Sequence, residues 1–448
     1  MLANKIHRGD YFISKEVSSL VDISAEVVSA NFSLYPSLPG LKSYKLVEKI
    51  IDKVSVTLPL QITAPNISIE SYWKRACESK WKNIRHNEHG WSWKQTYIET
   101  YLQEILCKHP GDDLEELASL IMATRNFIFY IDIEELPSHL DLRILFKNVP
   151  CITKFRVSYG AKHLGSEYDR SLFGMRMNDA ASITKCIKSS QCLVSLSLPC
   201  NLIDDELVRM LTKGFLYNKT IVELDLSHNR IGDHGARRIA KYLFHSDVLL
   251  SLNLSDNQIQ YEGSRCIGQA LRNNRSLQIL NLKHNRLDDR SGAKLCSDLQ
   301  QNGVVRSLNL SSNSLSTLFC EKLCDLLANN DSLLELDISC NLLVDNEAED
   351  AIRDEMLSAV EKLKGVLSLG CSLLMIDIRN NGLTRRMEKD ITEIVVKHDL
   401  DLKDIPLYRV QTPASRSSAS RHSQHRLPSG NSLKVQTPIR TPKTPYRT

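Results

Sequence analysis

The chain has 448 residues, 42% of them hydrophobic and 25% charged, with a formal net charge of +4. Such a composition suits a soluble globular protein with room for two or three domains. No apolar run approaches the ~20 residues of a membrane span. The N-terminus, Met1-Leu-Ala-Asn-Lys-Ile-His-Arg-Gly-Asp10, lacks the apolar centre of a signal peptide, so no membrane partner is expected.

Residues 1–150 show no internal repeat. All four tryptophans (Trp73, Trp81, Trp91 and Trp93) fall within 21 residues. Trp73, Cys77 and Trp81 are spaced i, i+4, i+8, which predicts one face of a helix. Helical patterns follow at Thr96–Lys108 and Asp112–Arg125, so a mainly helical N-terminal domain is expected over 1–150. Lys74, Arg75, Lys80, Lys82 and Arg85 interleave with the aromatics, a mixture that nucleic-acid binders also use. The favoured reading is a small aromatic core that seats the next domain, with no nucleic acid bound. His86 and His89, on either side of Glu88, are read as solvated histidines and not as metal ligands.

One pattern, Leu-x-x-Leu-x-Leu-x-x-Asn-x-Leu/Ile, then recurs seven times, and six of the copies are spaced by 28 residues. The first is Leu193, Leu196, Leu198, Asn201, Ile203, and the second is Ile221, Leu224, Leu226, Asn229, Ile231. Later copies carry their asparagines at Asn257, Asn285, Asn313 and Asn341, and a seventh at Asn381 comes 40 residues on, after an insertion of about 12 near Asp345–Ser368. This is the leucine-rich-repeat signature. The leucines alternate as a strand with one buried face. The Asn amide both donates and accepts, so stacked copies can form a ladder at the turn that follows. The rest of each unit is helical: Ala236, Ile239, Ala240 and Leu243 fall at i, i+3, i+4, i+7. No unit buries its apolar face alone, so neighbours must stack. The expected fold is an α/β leucine-rich-repeat solenoid of the ribonuclease-inhibitor-like type, with 28-residue repeats, over 151–404. Ile152-Thr-Lys-Phe-Arg-Val157, with Gly160 in the Asn position, reads as a degenerate first repeat. Eight parallel strands are expected.

One strand position faces away from the helices in every repeat: Ser197, Asp225, Asn253, Asn281, Asn309, Asp337 and Asp377. From Asp225 onward these are candidate partner contacts, although part of the column is repeat consensus, and it holds no aromatic anchor. Catalytic and cofactor motifs are missing: there is no Gly-rich phosphate loop, no nucleophile elbow and no His-Glu-x-x-His. Neither an enzyme nor a cofactor is expected. Cys320 and Cys324 read as core-facing helix thiols, and the twelve scattered cysteines as reduced, buried thiols of a cytosolic protein. His228 and His284, two repeats apart, look too distant to share a site.

From Ile405 to Thr448 there is no Asp or Glu, while eight Lys and Arg side chains give +8, which leaves about −4 for the remainder of the +4 total. Ser, Thr and Pro dominate, so 405–448 is expected to be a disordered basic tail. Thr412, Thr437, Thr441 and Thr444 each precede a proline and are candidate phosphosites on an arm that would bind an acidic surface, such as a microtubule.

Tyr72-Trp73-Lys74-Arg75-x-Cys77-Glu78-x-x-Trp81, with Ser92-Trp93-Lys94, Leu58-Pro-Leu60, Val157-Ser-Tyr-Gly160 and Glu223-Leu-Asp-Leu-Ser-His-Asn-x-Ile-Gly-Asp-x-Gly-Ala-Arg237, resembles the T-complex-associated testis-expressed protein family, the leucine-rich-repeat subunit of the nexin–dynein regulatory complex. The resemblance runs from roughly Val21 to Val396, and the insertion and the basic tail depart from it. It implies a non-enzymatic scaffold in the axoneme of cilia or flagella. Its partners would be the other regulatory-complex subunits and the doublet microtubules, and it would regulate dynein-driven motility. The alternatives are a leucine-rich-repeat GTPase-activating protein, which would carry an acidic C-terminal region, and a ribonuclease-inhibitor-like binding protein, which would carry an acidic, Trp-rich face.

Overall fold

A computed structural model of the chain describes residues 19–38, 40–109, 114–161 and 169–402. From Leu20 to Phe127 the secondary structure is helical: α1 (Leu20–Ala30), α2 (Tyr44–Ile51), α3 (Leu60–Asn66), α4 (Glu70–Lys80), α5 (Trp93–Lys108) and α6 (Leu114–Thr124). Ser92 caps α5 by accepting from Gln95 N, as a hydroxyl at an N-cap should. Glu70 of α4 reaches across to accept from the Trp93 backbone N–H at 2.5 Å and from Ser92 Oγ at 2.9 Å, which sews the two helices together.

Strand and helix then alternate: β1 (Tyr130–Ile133), α7 (Arg143–Asn148), β2 (Lys154–Val157), α8 (Met177–Ser189), β3 (Ser195–Ser197), α9 (Asp205–Phe215), β4 (Glu223–Asp225), α10 (Asp233–His245), β5 (Ser251–Asn253) and α11 (Tyr261–Leu271). The series continues with β6 (Ile279–Asn281), α12 (Asp289–Leu299), β7 (Ser307–Asn309), α13 (Thr317–Asn329), β8 (Glu335–Asp337), α14 (Asp350–Leu369), β9 (Met375–Asp377) and α15 (Arg385–Leu402). The strands form one parallel sheet in sequential order. Equivalent residues pair, as Leu196↔Leu224 and Leu224↔Leu252 do, so the repeat period is the sheet register. Between sheet and helices the repeated leucines are sealed from solvent: Leu226, Leu254, Leu282 and Leu310 are all 0% exposed.

Among the described residues the sheet has nine strands, not the expected eight. The additional strand is β1, inside the stretch that the sequence assigns to the helical domain. Ile131 and Ile133 are fully buried and pair with Phe155 and Val157. No leucine pattern marks it. It is held from outside the sheet by Glu99 of α5, whose Oε1 accepts from the backbone N–H groups of Phe129 (2.6 Å) and Tyr130 (2.8 Å). The insertion before the seventh motif lengthens α14 to 20 residues and leaves the strand register intact, with Leu336 still opposite Ile376. No helix among the described residues is long and apolar enough to cross a membrane.

Candidate functional site

The ladder asparagines stitch each repeat to the one before it. Asn229 Oδ1 accepts from Asn201 N and Ile203 N, both at 3.0 Å, while its Nδ2 donates to Leu198 O of the preceding repeat and to Leu226 O and Ser227 O of its own. Asn313 and Asn341 repeat the arrangement, and Asn257 and Asn285 repeat it without the bond from the preceding ladder Asn N. Asn381 closes the series across the insertion, taking Asn341 N on Oδ1 and donating to Ile338 O. Asn201 reaches back to Val157 O and accepts from Tyr159 N, so the degenerate repeat is tied in although Gly160 stands in its own Asn position.

The residue before each ladder Asn adopts a left-handed backbone, with φ between 51° and 60° at Cys200, His228, Asp256, His284, Ser312, Cys340 and Asn380. None of these is a glycine. The conformation turns the N–H of the first six toward the next repeat, as in His228 N to Ser255 O and Asp256 N to Lys283 O, while Asn380 N donates to Glu388 Oε1. It also lines up their side chains. His228 and His284 are therefore brought to one site, contrary to the sequence expectation, because Asp256 lies between them. His228 Nδ1 sits 2.7 Å from Asp256 Oδ2, and His284 Nδ1 2.9 Å from Oδ1.

Two further ladders escaped the sequence reading. Asn218, Asn274, Asn302 and Asn330 follow the helices, and each bridges to carbonyls at the C-terminal end of the preceding helix, as Asn274 does to Leu243 O and Ser246 O. At helix N-termini, Asp205 Oδ1 accepts from Gly232 N and Gly235 N of the next repeat, and Asp233 and Asp289 act alike. A Cβ on Gly235 would meet Asp205 Oδ1 at 2.6 Å and Ile231 Cγ2 at 2.8 Å, so a larger residue there would have to displace those side chains, whereas the Asp289 copy accommodates Phe319 at the same position. The same 28-residue period marks both sets in the sequence, masked by substitutions such as Ser246 and Tyr261.

The column of candidate contacts lies on the open face of the sheet, half-buried at every position from Ser197 to Asp377. One oxygen of each is committed locally. Asp225, Asn253, Asn281, Asn309, Asp337 and Asp377 each accept on Oδ1 from the backbone N–H two residues on, at 3.0 to 3.1 Å. The outer atoms differ. Asp225 Oδ2 takes Ser197 Oγ, Asp337 Oδ2 takes Asn309 Nδ2, and the Arg379 guanidinium covers Asp377 and holds its carboxyl below the usual range. Among the described residues the Nδ2 groups of Asn253 and Asn281 make no hydrogen bond, and each residue stands three positions before a member of the His228–Asp256–His284 row. That stretch of the face is a set of donors available to a partner. One strand earlier than expected, Tyr130 adds an aromatic ring to this face, its Oη donating to Asp132.

In the helical domain Trp73 is fully buried and donates Nε1–H to Ile67 O at 3.0 Å. Trp81 caps α4 and does not continue its face; it and Trp73 both pack on Tyr97, with ring centroids 5.3 and 5.5 Å away. His89 is buried and His86 half-buried, so the two are not the solvated pair expected. His86 stacks on Trp93 at 4.0 Å, and His89, 4% exposed, lies 2.5 Å from fully buried Glu99. The turn at Gly90 and Trp91, both left-handed, folds them inward. Among the described residues no group of three or more His, Cys, Asp or Glu side chains could hold a metal ion. All twelve cysteines are free; Cys320 and Cys324 are core residues, but Cys151, Cys200 and Cys340 are exposed and depart from the expected burial. Burial pushes the Cys186 thiol up to about 12, so it is neutral at physiological pH. The tail from 405, with Thr412, Thr437, Thr441 and Thr444, lies outside the described residues.

Known proteins bear on this geometry. The family "Leucine Rich repeat" matches residues 217–240, 245–268 and 273–296. The fold is a leucine-rich-repeat solenoid. A Chlamydomonas reinhardtii protein named "Dynein regulatory complex subunit 5" is 39% identical over 199 residues, 43% of this chain and 50% of that one. Proteins of the same name from Mus musculus and Homo sapiens are 30% identical over 230 and 231 residues, 45% of this chain and 46% of each of theirs. The chain spans about half the length of these relatives.

Proposed function

We propose that this chain is a non-enzymatic scaffold subunit of the nexin–dynein regulatory complex, of the T-complex-associated testis-expressed type, and that it works in the axoneme of cilia or flagella. The observation that carries the reading is its 39% identity over 199 residues to a protein named as a subunit of that complex. The site chemistry supports it. The polar side chains of the solenoid are spent on joining repeats, which suits a rigid platform, and the unbonded Nδ2 groups of Asn253 and Asn281 suit protein contact. Its partners are other subunits of the complex, and its role is to help link doublet microtubules and restrain dynein. The basic tail adds reach toward the acidic microtubule surface, adjustable by phosphorylation at Thr412, Thr437, Thr441 and Thr444.

The test is cellular. Tagged protein should lie along motile axonemes and stay there after detergent extraction, and affinity purification should recover other regulatory-complex subunits. Loss of the protein should leave cilia assembled but beating abnormally. A protein washed out by detergent, with normal beating in its absence, would sink the proposal.

A further inference from the structure

A cleft of about 470 Å³ opens between α7 and α8 at their C-terminal ends. Its position follows from two breaks in the repeat. Where later repeats place a bridging Asn after the helix, as at Asn218, these two carry Val149 and Ser190. Ser190 Oγ accepts only its own loop's Leu193 N, so nothing ties the end of α8 to that of α7 through this position. Ser246 leaves the same gap between α9 and α10, but there Tyr242 fills it and packs on Phe215 at 5.5 Å. The equivalent of Tyr242 on α8, 56 residues earlier, is Cys186. A thiol is too small to fill the space, and the cleft stays open.

The chemistry of the cleft is two-part. Phe146, Val149 and Pro150 form an apolar wall with Cys186, whose buried thiol is uncharged. Arg143, Lys147 and Lys185 stand on the rim, and no acidic side chain lines it. Arg143 is held by Asp141, whereas Lys147 and Lys185 are exposed and form no ion pair among the described residues. The same helical side of the solenoid continues basic, with Lys213 on α9 and Arg237, Arg238 and Lys241 on α10 all exposed and likewise outside any ion pair.

We propose that this cleft is a docking site for an acidic segment of another protein that carries one bulky apolar side chain. The apolar wall takes the side chain, and the rim cations take the flanking carboxylates. Charge complementarity selects the occupant: the chain's own basic tail would be repelled, and an uncharged apolar segment would leave Lys147 and Lys185 uncompensated. Electrostatic rims of this kind set orientation and on-rate, while the buried anchor supplies most of the affinity. The inference does not depend on the axonemal reading, because the purified chain and synthetic peptides test it.

The probes are three fluorescent peptides read by anisotropy with the full-length chain: glutamate-rich with a central Phe, glutamate-rich without it, and lysine-rich with it. The first should bind, with affinity falling as salt rises. The second should be at least about tenfold weaker, the effect of one buried aromatic side chain, and the third should not bind. Lys147→Glu with Lys185→Glu, both exposed, should weaken the first peptide roughly tenfold at low salt and much less at high salt. Cys186→Phe fills the cleft without changing charge and should make the first two peptides equal; its melting temperature reports whether it folds. Unchanged binding by the charge-reversed protein would overturn the proposal, as would equal binding of the two glutamate-rich peptides to the unmodified chain. Self-association of the free chain that vanishes in the charge-reversed variant would assign the cleft to a second copy instead.

Discussion

Asn257 is the sharpest place to test whether the ladder holds the solenoid together. Its side chain is 7% exposed and makes four hydrogen bonds: Nδ2 to Leu226 O, Leu254 O and Ser255 O, and Oδ1 from Ile231 N at 3.0 Å. Asn257→Ala removes all four, but the consequences are unequal. Leu226 O keeps Asn229 Nδ2, Leu254 O keeps Asn285 Nδ2, and Ser255 O keeps His228 N. The Ile231 N–H, on a fully buried residue, loses its side-chain acceptor. An orphaned buried donor costs about 1–3 kcal/mol, and the shared donor bonds add about 0.5–1 kcal/mol each. The expected loss is therefore about 2.5–6 kcal/mol. Asn253→Ala, four residues away on the open face, removes one bond to Ser255 N from a half-buried group and should cost about 1 kcal/mol. Urea denaturation of both variants gives the difference, and amide hydrogen exchange gives its location, because Ile231 N–H should lose protection in Asn257→Ala alone. Equal destabilisation by the two variants, with Ile231 exchange unchanged, would refute the ladder argument.

Lys94 is 7% exposed, with its ammonium 3.8 Å from the Phe127 ring centroid, and burial lowers its pKa to about 8. A lysine whose folded pKa is depressed binds fewer protons folded than unfolded between about pH 8 and 10.5, so stability should rise with pH there. From pH 7 to 9.5 the gain should be about 2 kcal/mol; Lys94→Met should be more stable at pH 7 and lack the rise, and a flat profile in the unmodified protein would contradict this. Tryptophan emission should show a blue-shifted component from Trp73 and should not respond to added RNA; strong quenching at physiological salt would reassign the aromatic–basic block to nucleic acid. Truncation after residue 404 should weaken microtubule co-sedimentation at low salt and matter little at high salt. Aspartates at Thr412, Thr437, Thr441 and Thr444 should mimic part of that loss, and equal pelleting of full-length and truncated chains at low salt would leave the tail without this role.

Much of the fold can be read in the sequence because the repeat is one-dimensional. A leucine at a given position of one unit can only meet its equivalents 28 residues away, so Leu224, Leu252 and Leu280 stack whatever surrounds them. The period also marks Asn229 and its successors as ladder residues, since a buried amide at the end of a strand must find partners in the neighbouring unit. The same reasoning could have found Asn274, Asn302 and Asn330. It was obscured because one member of that series, Ser246, is not an amide.

What the tertiary structure alone decided lies where periodicity stops. β1 has no leucine pattern, and it exists because Glu99, from a helix outside the repeats, takes up the backbone N–H groups at its start. His86 and His89 look like surface residues in an exposed, polar stretch; a left-handed turn at Gly90 buries one and stacks the other. His228 and His284 are 56 residues apart in sequence, and a shared left-handed backbone places both on Asp256. The cleft beside Cys186 depends on two absences at once, a bridging amide and a filling ring, on helices whose equivalence appears only when they are stacked. A sequence specifies what recurs within its own period; contacts made once, between elements that share no period, become visible only when the chain is packed.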